Sequence, residues 1–345
     1  MSGTFLIISP FLGPLPSYTQ LFLDSCRYVP SADFLVLTDH PWEALLAPPN
    51  VTLAKISSSE IEERIKAKLH LKADLSRGYK LCDLKPMLGS LFPEYLEGYL
   101  YGGVCDLDLI FSNSLENTLQ QVIKKEPDVA YLHSQYAHGA FFLYKNSPDN
   151  LELYRKSRDW RDVVTCDHIT GFDECGNKYD ALASVLEAPN NYTKGKKTFL
   201  DLTVDQLLGF QNFECMTVVL LREHLRRGLK LFLDHRAKEG LRTFESLCFK
   251  EGVLTDSQGE AWDYYHWVMD KTRRKWHYPG FKQLPDEFYV TQYGMFLPHR
   301  PFRNTLIHAV RFLRALLLIS RDRACHAFKK LGAKIGLNQP PPPFR

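Results

Sequence analysis

The sequence predicts an α/β fold with a mostly parallel central sheet flanked by helices, on three observations. Residues 4–8 and 33–38 are short, continuous apolar runs, the pattern of strands covered on both faces. A helix-length segment lies between them, so strand, helix and strand follow one another within the first 40 residues, as in a βαβ unit. The chain has 345 residues, 45% apolar and 24% charged, enough to bury a large core.

The elements follow in order. A strand at 5–9 leads into a loop with Pro10, Gly13, Pro14 and Pro16, and a helix is expected over 17–28. The second strand ends at Thr38-Asp39, and residues 51–56 read as a third. Ser58 or Ser59 is the expected cap of the next helix, with Glu60, Glu62 and Glu63 in its first turn and Lys66 and Lys68 further on. Residues 79–96 read as helix interrupted by Pro86 and Pro93. A strand over 99–105, with Gly102 and Gly103 inside it, runs into Asp106-Leu107-Asp108. Strands are expected over 128–132 and 140–144 and a helix over 148–158. Beyond residue 160 the pattern weakens: 204–210 is ambiguous, and 216–226 is either helical or extended.

Charge is distributed unevenly. Residues 300–345 carry ten Lys/Arg against the single acid Asp322, leaving 33 basic and 39 acidic side chains on the rest. A mildly acidic body argues against nucleic-acid binding and sets the basic tail apart. The eight cysteines are scattered without a CxxC pair, several inside apolar stretches, which favours a reducing, cytoplasmic compartment. Asn50-Val51-Thr52 and Asn191-Tyr192-Thr193 match the glycosylation sequon, and residues 5–9 read as a first strand rather than a signal peptide. The longest apolar run of the tail, 315–319, is too short to span a bilayer.

Asp106 and Asp108 carry the strongest chemistry. Carboxylates at i and i+2 of an extended segment project from one side, where they repel unless a cation lies between them. A hard divalent ion with oxygen ligands meets that need and keeps positions open for water and phosphate. Their placement after a buried strand puts them at the carboxyl edge, where open α/β sheets bind ligands. Lys80, Asp83 and Lys85 form a second charged group in an otherwise apolar segment, expected at a cleft edge.

The run Tyr79-Lys-Leu-Cys-Asp-Leu-Lys-Pro86, followed by Tyr101-Gly-Gly-Val-Cys-Asp-Leu-Asp-Leu-Ile-Phe111, resembles the sugar-binding DxD region of glycosyltransferases. The chain is closer still to an uncharacterised bacterial and viral family of glycosyltransferase-like proteins. That family shares the Pro10-to-Pro16 loop, the Phe34-to-Asp39 strand and the Cys105-to-Phe111 core. The resemblance implies a glycosyltransferase-A fold, a nucleotide-sugar donor (foremost a UDP-sugar) and Mn2+ or Mg2+. It implies direct metal contact by Asp108, with Asp106 at the metal through water or at the ribose or sugar. Pro10, Phe11 and Asp39 fall at the nucleobase, Lys80 and Asp83 at the donor sugar or its phosphates, and Gly139 in a loop close to the sugar. Asp173 and Glu174 fall where an acceptor-side general base sits. His266 resembles the histidine that completes the metal site, with His277 as its rival.

In the tail, Leu306, Val310, Leu313 and Leu317 share a helical face flanked by Arg311, Arg314 and Arg321, with Leu318 among the arginines. The two readings are a capping helix and an interfacial helix on an anionic membrane. The expected organisation is therefore a catalytic domain over 1–299, a basic helical extension over 300–335 and a Pro-rich tail over 336–345. The expected activity is sugar transfer to a saccharide or lipid-linked acceptor, at a peripheral site on the inner face of a membrane if the tail binds lipid. A nucleotidyltransferase and a non-catalytic carbohydrate-binding protein on the same fold are the alternatives. The first would call for a basic Gly-rich loop, and residues 10–16 contain no Lys or Arg.

Overall fold

The computed structural model describes residues 3–176, 178–188, 195–210, 213–241, 245–267 and 276–298, with scattered positions from 310 to 324. Its strands are, in chain order, β1 (Phe5–Phe11), β2 (Ala32–Thr38), β3 (Val51–Lys55), β4 (Tyr101–Cys105), β5 (Leu109–Phe111), β6 (Val129–Tyr131) and β7 (Phe141–Lys145). They continue with β8 (Leu231–Leu233), β9 (Ala237–Glu239), β10 (Ser246–Lys250), β11 (Val253–Asp256), β12 (Ala261–Trp262), β13 (Tyr264–His266), β14 (Glu287–Thr291) and β15 (Gly294–Phe296).

The fold is mixed α/β. Its main sheet has seven strands in the order β3-β2-β1-β4-β7-β6-β8. The first four run parallel, β7 is antiparallel to both of its neighbours, and β6 and β8 are parallel to each other. Side-chain alternation explains the continuous apolar runs. Leu6, Ile8, Leu35, Leu37, Val104 and Phe142 enter one apolar layer, while Phe5, Ile7, Phe34, Val36, Cys105 and Phe141 enter another. Gly102 lets Tyr144 of β7 lie across β4, since a Cβ there would stand 2.5 Å from the Tyr144 ring.

Most of the expected elements up to residue 145 are present, with ends shifted by a residue or two. The first helix spans Thr19–Cys26. The cap of the helix Ser58–Leu69 is Ser57, in a capping box with Glu60, rather than Ser58 or Ser59. The stretch with Pro86 and Pro93 is a chain of one-turn helices from Gly78 to Leu96, as two prolines in 20 residues require. The ambiguous segment after residue 215 is the helix Met216–Arg227, closed by Gly228 at φ +69°.

The second half adds two sheets that sequence periodicity did not indicate. One has five antiparallel strands, β12-β11-β10-β14-β15, over an apolar cluster that includes Phe249, Leu254, Phe288 and Val290. The other has three, β5-β13-β9, and joins segments more than 120 residues apart. Of the tail, the described positions Val310, Leu313, Leu316 and Leu317 are helical and exposed, whereas Ile319 is buried. Leu306, Arg311, Leu318, residues 325–345 and the sequon Asn191 to Thr193 lie outside the described residues. No helix among the described residues is long and apolar enough to cross a membrane.

Candidate active site

The strands β1, β2 and β4 end at one edge of the sheet. The chain leaves β1 toward β2 on one side and returns to β4 on the other, which makes the β1–β4 edge a topological switch point. Pro10 and Phe11 close β1, and Asp39 follows β2. The Asp39 carboxylate accepts the Gly13 backbone N–H at 2.7 Å and so ties the Pro-rich loop to the end of β2.

Asp106 and Asp108 sit at the same edge, immediately after β4. They do not lie on an extended segment as the sequence suggested: Leu107 and Asp108 form a turn before β5. That turn starts the three-stranded sheet, where His266 pairs in register with Leu109 on one side and with Glu239 on the other. The pairing brings His266 Nε2 to 3.5 Å from Asp108 Oδ1. One ligand atom each from Asp106, Asp108 and His266 fall within 4.8 Å of one another. His266 Nε2 is buried and makes no hydrogen bond. Two carboxylates and an imidazole whose buried Nε2 faces one of them are a donor set that fits Mn2+ and accepts Mg2+ through its oxygens. His277 is elsewhere, in an isolated bridge with Gly294 and against the Phe296 ring. It belongs to neither of the three-ligand groups found among the described residues, Asp106–Asp108–His266 and His138–Glu239–His266.

Facing the acids is Lys85, almost fully buried. Its ammonium lies 2.7 Å from Asp106 Oδ1 and 3.5 Å from Asp173 Oδ2, and donates to the Gly139 carbonyl at 2.9 Å. Burial, the largest single influence, opposes its charge, but Asp106, Cys82 and Asp173 together outweigh it and hold the amine well above its ordinary range. Asp173 is pushed well above the usual carboxylate range, by burial first, with Glu174 and Asp83 adding to it against Lys85. Asp106 is raised as well, by burial and then by Asp108, against Lys85. Gly139 makes this approach possible: a Cβ there would overlap Asp173 Oδ2 and stand 2.8 Å from its Cγ. Glu174 accepts the Gly139 N–H at 3.0 Å and the Tyr179 hydroxyl at 2.7 Å.

Lys80 and Asp83 are not at a cleft edge. Both are buried, and the Lys80 ammonium is spent on Asp83 (2.8 Å), the His168 carbonyl (2.7 Å) and Cys166 Sγ (3.2 Å). Asp83 gathers the Gly171 and Phe172 N–H groups at 2.9 and 3.0 Å, and both the N–H and the hydroxyl of Thr170 at 3.0 Å. This pair anchors the loop that delivers Asp173 and Glu174, so its carboxylate is already saturated with donors.

Sequence reasoning expected Lys85 only at a cleft edge with Lys80 and Asp83, whereas it is buried, and gave no role to His138 or Glu239. Glu239 Oε1 lies 2.8 Å from His266 Nδ1 and 2.7 Å from His138 Nε2. Burial would raise this carboxyl, but His138 first and then His266 hold it well below its usual range. Conversely, burial would depress His266, but Asp108 and Glu239 raise it to about 10. Lys85 and His138 stood within segments already singled out, whereas no motif marked Glu239.

Comparison with known proteins adds context. No curated protein matches the chain. Among solved structures, it is similar to mouse xyloside xylosyltransferase 1 in its apo form, with a TM-score of 0.38 and 9% identity over 79% of this chain and 99% of that one. A family model matches residues 7–211 of the 345, so the chain belongs to the family described as "Family of unknown function (DUF6625)".

Proposed function

We propose that this chain is a metal-dependent glycosyltransferase that moves a sugar from a nucleotide-diphosphate sugar, foremost a UDP-sugar, to a saccharide or lipid-linked acceptor. The observation that carries the reading is the convergence of Asp106, Asp108 and His266 at the carboxyl edge of β4, beside the end of β1. Asp108 and His266 hold a divalent cation, Mn2+ or Mg2+, with Asp106 beside them. Bound there, the cation offsets negative charge as it develops on the departing diphosphate.

The remaining steps belong to the protein's own side chains. Pro10, Phe11 and Asp39 form the shelf for the nucleobase at the ends of β1 and β2. Gly139 lets its loop backbone and Asp173 stand together beside the donor sugar. Asp173 or Glu174 takes the proton of the acceptor hydroxyl, and a carboxyl lifted above its ordinary range, like Asp173, is the stronger base once ionised. Lys80 and Asp83 act one step back, by holding the loop that carries those two acids.

Donor hydrolysis tests the core of this reading. A panel of nucleotide sugars is incubated with Mn2+ and either wild type or Asp108→Ala. Turnover of at least one donor is expected, falling by about 100-fold or more in the variant. Turnover that survives the substitution overturns the metal assignment.

The basic tail extends the proposal to an anionic membrane surface on the cytoplasmic side. The exposed helical positions Val310, Leu313, Leu316 and Leu317 support it, with ten Lys/Arg between residues 300 and 345. Sedimentation with phosphatidylserine vesicles should pellet the full chain and leave a variant lacking 300–345 in the supernatant. Equal pelleting would dismiss the membrane role.

A further inference from the structure

Glu239 sits at the end of β9, directly across the sheet from His266. Its side chain is 3% exposed, and a single oxygen, Oε1, stands between two imidazoles at 2.8 Å and 2.7 Å. Those are hydrogen-bonding distances, with His266 Nδ1 and His138 Nε2 as donors. His138 in turn packs face to face with His133, ring centroids 4.8 Å apart, and its Nε2 is 3.8 Å from Glu174 Oε1. Glu239 is thus clamped from one side and clamps from the other.

We propose that Glu239 is the positioning residue of the cation site. By accepting the Nδ1–H of His266 it fixes the ring plane and turns Nε2 toward Asp108, and His138 prevents the carboxylate from rotating away. This rests on the reading of Asp106, Asp108 and His266 as the cation site. It adds to that reading the group that pre-sets its one nitrogen ligand. A carboxylate behind a ligating imidazole orients the ring and raises its basicity, and loss of such a partner weakens metal binding by roughly 10–100-fold. A carboxylate buried merely to balance charge would have no such effect on a ligand it does not share.

The test uses the full chain. Free Mn2+ is titrated by electron paramagnetic resonance against wild type, Glu239→Gln and Asp108→Asn. Separately, the His266 Nδ1–H proton is followed by NMR in 15N-histidine-labelled protein without added metal, assigned by its loss in His266→Gln. Glu239→Gln should bind Mn2+ about 10–100-fold more weakly and shift that proton upfield. In donor hydrolysis it should raise the Mn2+ concentration for half-maximal rate more than it lowers kcat at saturating Mn2+. If Glu239→Gln does not fold cooperatively, Glu239→Asp serves, since it keeps the charge but withdraws it by one methylene, and the same weakening is expected. Wild-type binding that Asp108→Asn abolishes, together with Mn2+ affinity within twofold of wild type in the Glu239 variant, overturns the proposal and leaves the cation site standing. If wild type binds no Mn2+ the cation site itself fails, and an Nδ1–H proton unmoved in Glu239→Gln then overturns the positioning role as well.

Discussion

Lys85→Met is the most informative single perturbation of this site. Methionine keeps most of the side chain's length and removes its charge, leaving Asp106 and Asp173 without the ammonium at 2.7 and 3.5 Å. At an effective dielectric constant of 20, those separations correspond to gross attractions of about 6 and 5 kcal/mol. Asp106 is 29% exposed and its share is partly screened, and the desolvation of Lys85 opposes both. The net loss expected for removing one partner from a buried cluster is about 3–5 kcal/mol. Urea unfolding at pH 7.5 measures it. The second arm repeats the titration with Mn2+. At 100 times its dissociation constant, a cation adds about 2.7 kcal/mol to a folded state that alone binds it. The increment should be larger in Lys85→Met than in wild type, because the ion then supplies charge that the lysine no longer provides. A variant within about 1 kcal/mol of wild type without metal, or one that gains no more than wild type from Mn2+, refutes Lys85 as the counter-charge of the acid cluster.

Other perturbations read the parts around it. Gly139→Ala forces a methyl into Asp173, so it should cost about 1–3 kcal/mol in a melting experiment and reduce donor turnover more than the stability loss explains. Wild-type turnover in that variant would place the reaction away from this loop. Asp83→Asn leaves the buried Lys80 ammonium without its carboxylate and weakens the 170–172 loop, for an expected loss of about 3–5 kcal/mol with reduced turnover but little change in Mn2+ affinity. Asp263 is a stability probe outside the site: burial raises its carboxyl to about 6 against the Thr118 hydrogen bond and Arg236. A folded-state value above the ordinary 3.8 means that folding favours the protonated form. Its penalty is therefore absent at the acid end, grows between pH 4 and 6, and reaches about 3 kcal/mol above that. The stability of Asp263→Asn relative to wild type should rise across the same window, and a flat difference in urea unfolding from pH 4 to 7.5 would refute it.

How far the sequence carried depends on the range of the interactions. β1, β2, β4 and β7 were legible because a strand covered on both faces is an unbroken apolar run, and their residues divide between two packed layers. Asp106 and Asp108 were legible because they follow such a run. The sheet that brings His266 to Asp108 was not, because strands of three residues have no period to detect and their partners lie far apart in the chain. Glu239 was invisible for the same reason: only pairing with β13 gives it a role. Lys80 and Asp83 were misplaced because i, i+3 charge pairs ordinarily face water, and nothing local announces that residues 168–172 fold over them.

The charges of the site set out what a bound cation would offset. Asp106, Asp108, Asp173, Glu174 and Glu239 converge on a small, largely buried volume, opposed mainly by Lys85 and His266. Glu239 is held by two histidines, well below its ordinary range. Asp106 and Asp173 are pushed upward, by burial first and then by neighbouring carboxylates, against Lys85. A purely structural cluster would relieve that repulsion by replacing an acid or adding a base, and apolar substitutes of similar volume would serve stability as well. Here the excess negative charge instead lies at the carboxyl edge of β4, where the buried His266 Nε2 stands 3.5 Å from Asp108. A divalent ion at Asp106, Asp108 and His266 would supply the missing charge and use that nitrogen. The carboxylate shared with His138 would keep the ring in place before the ion arrives.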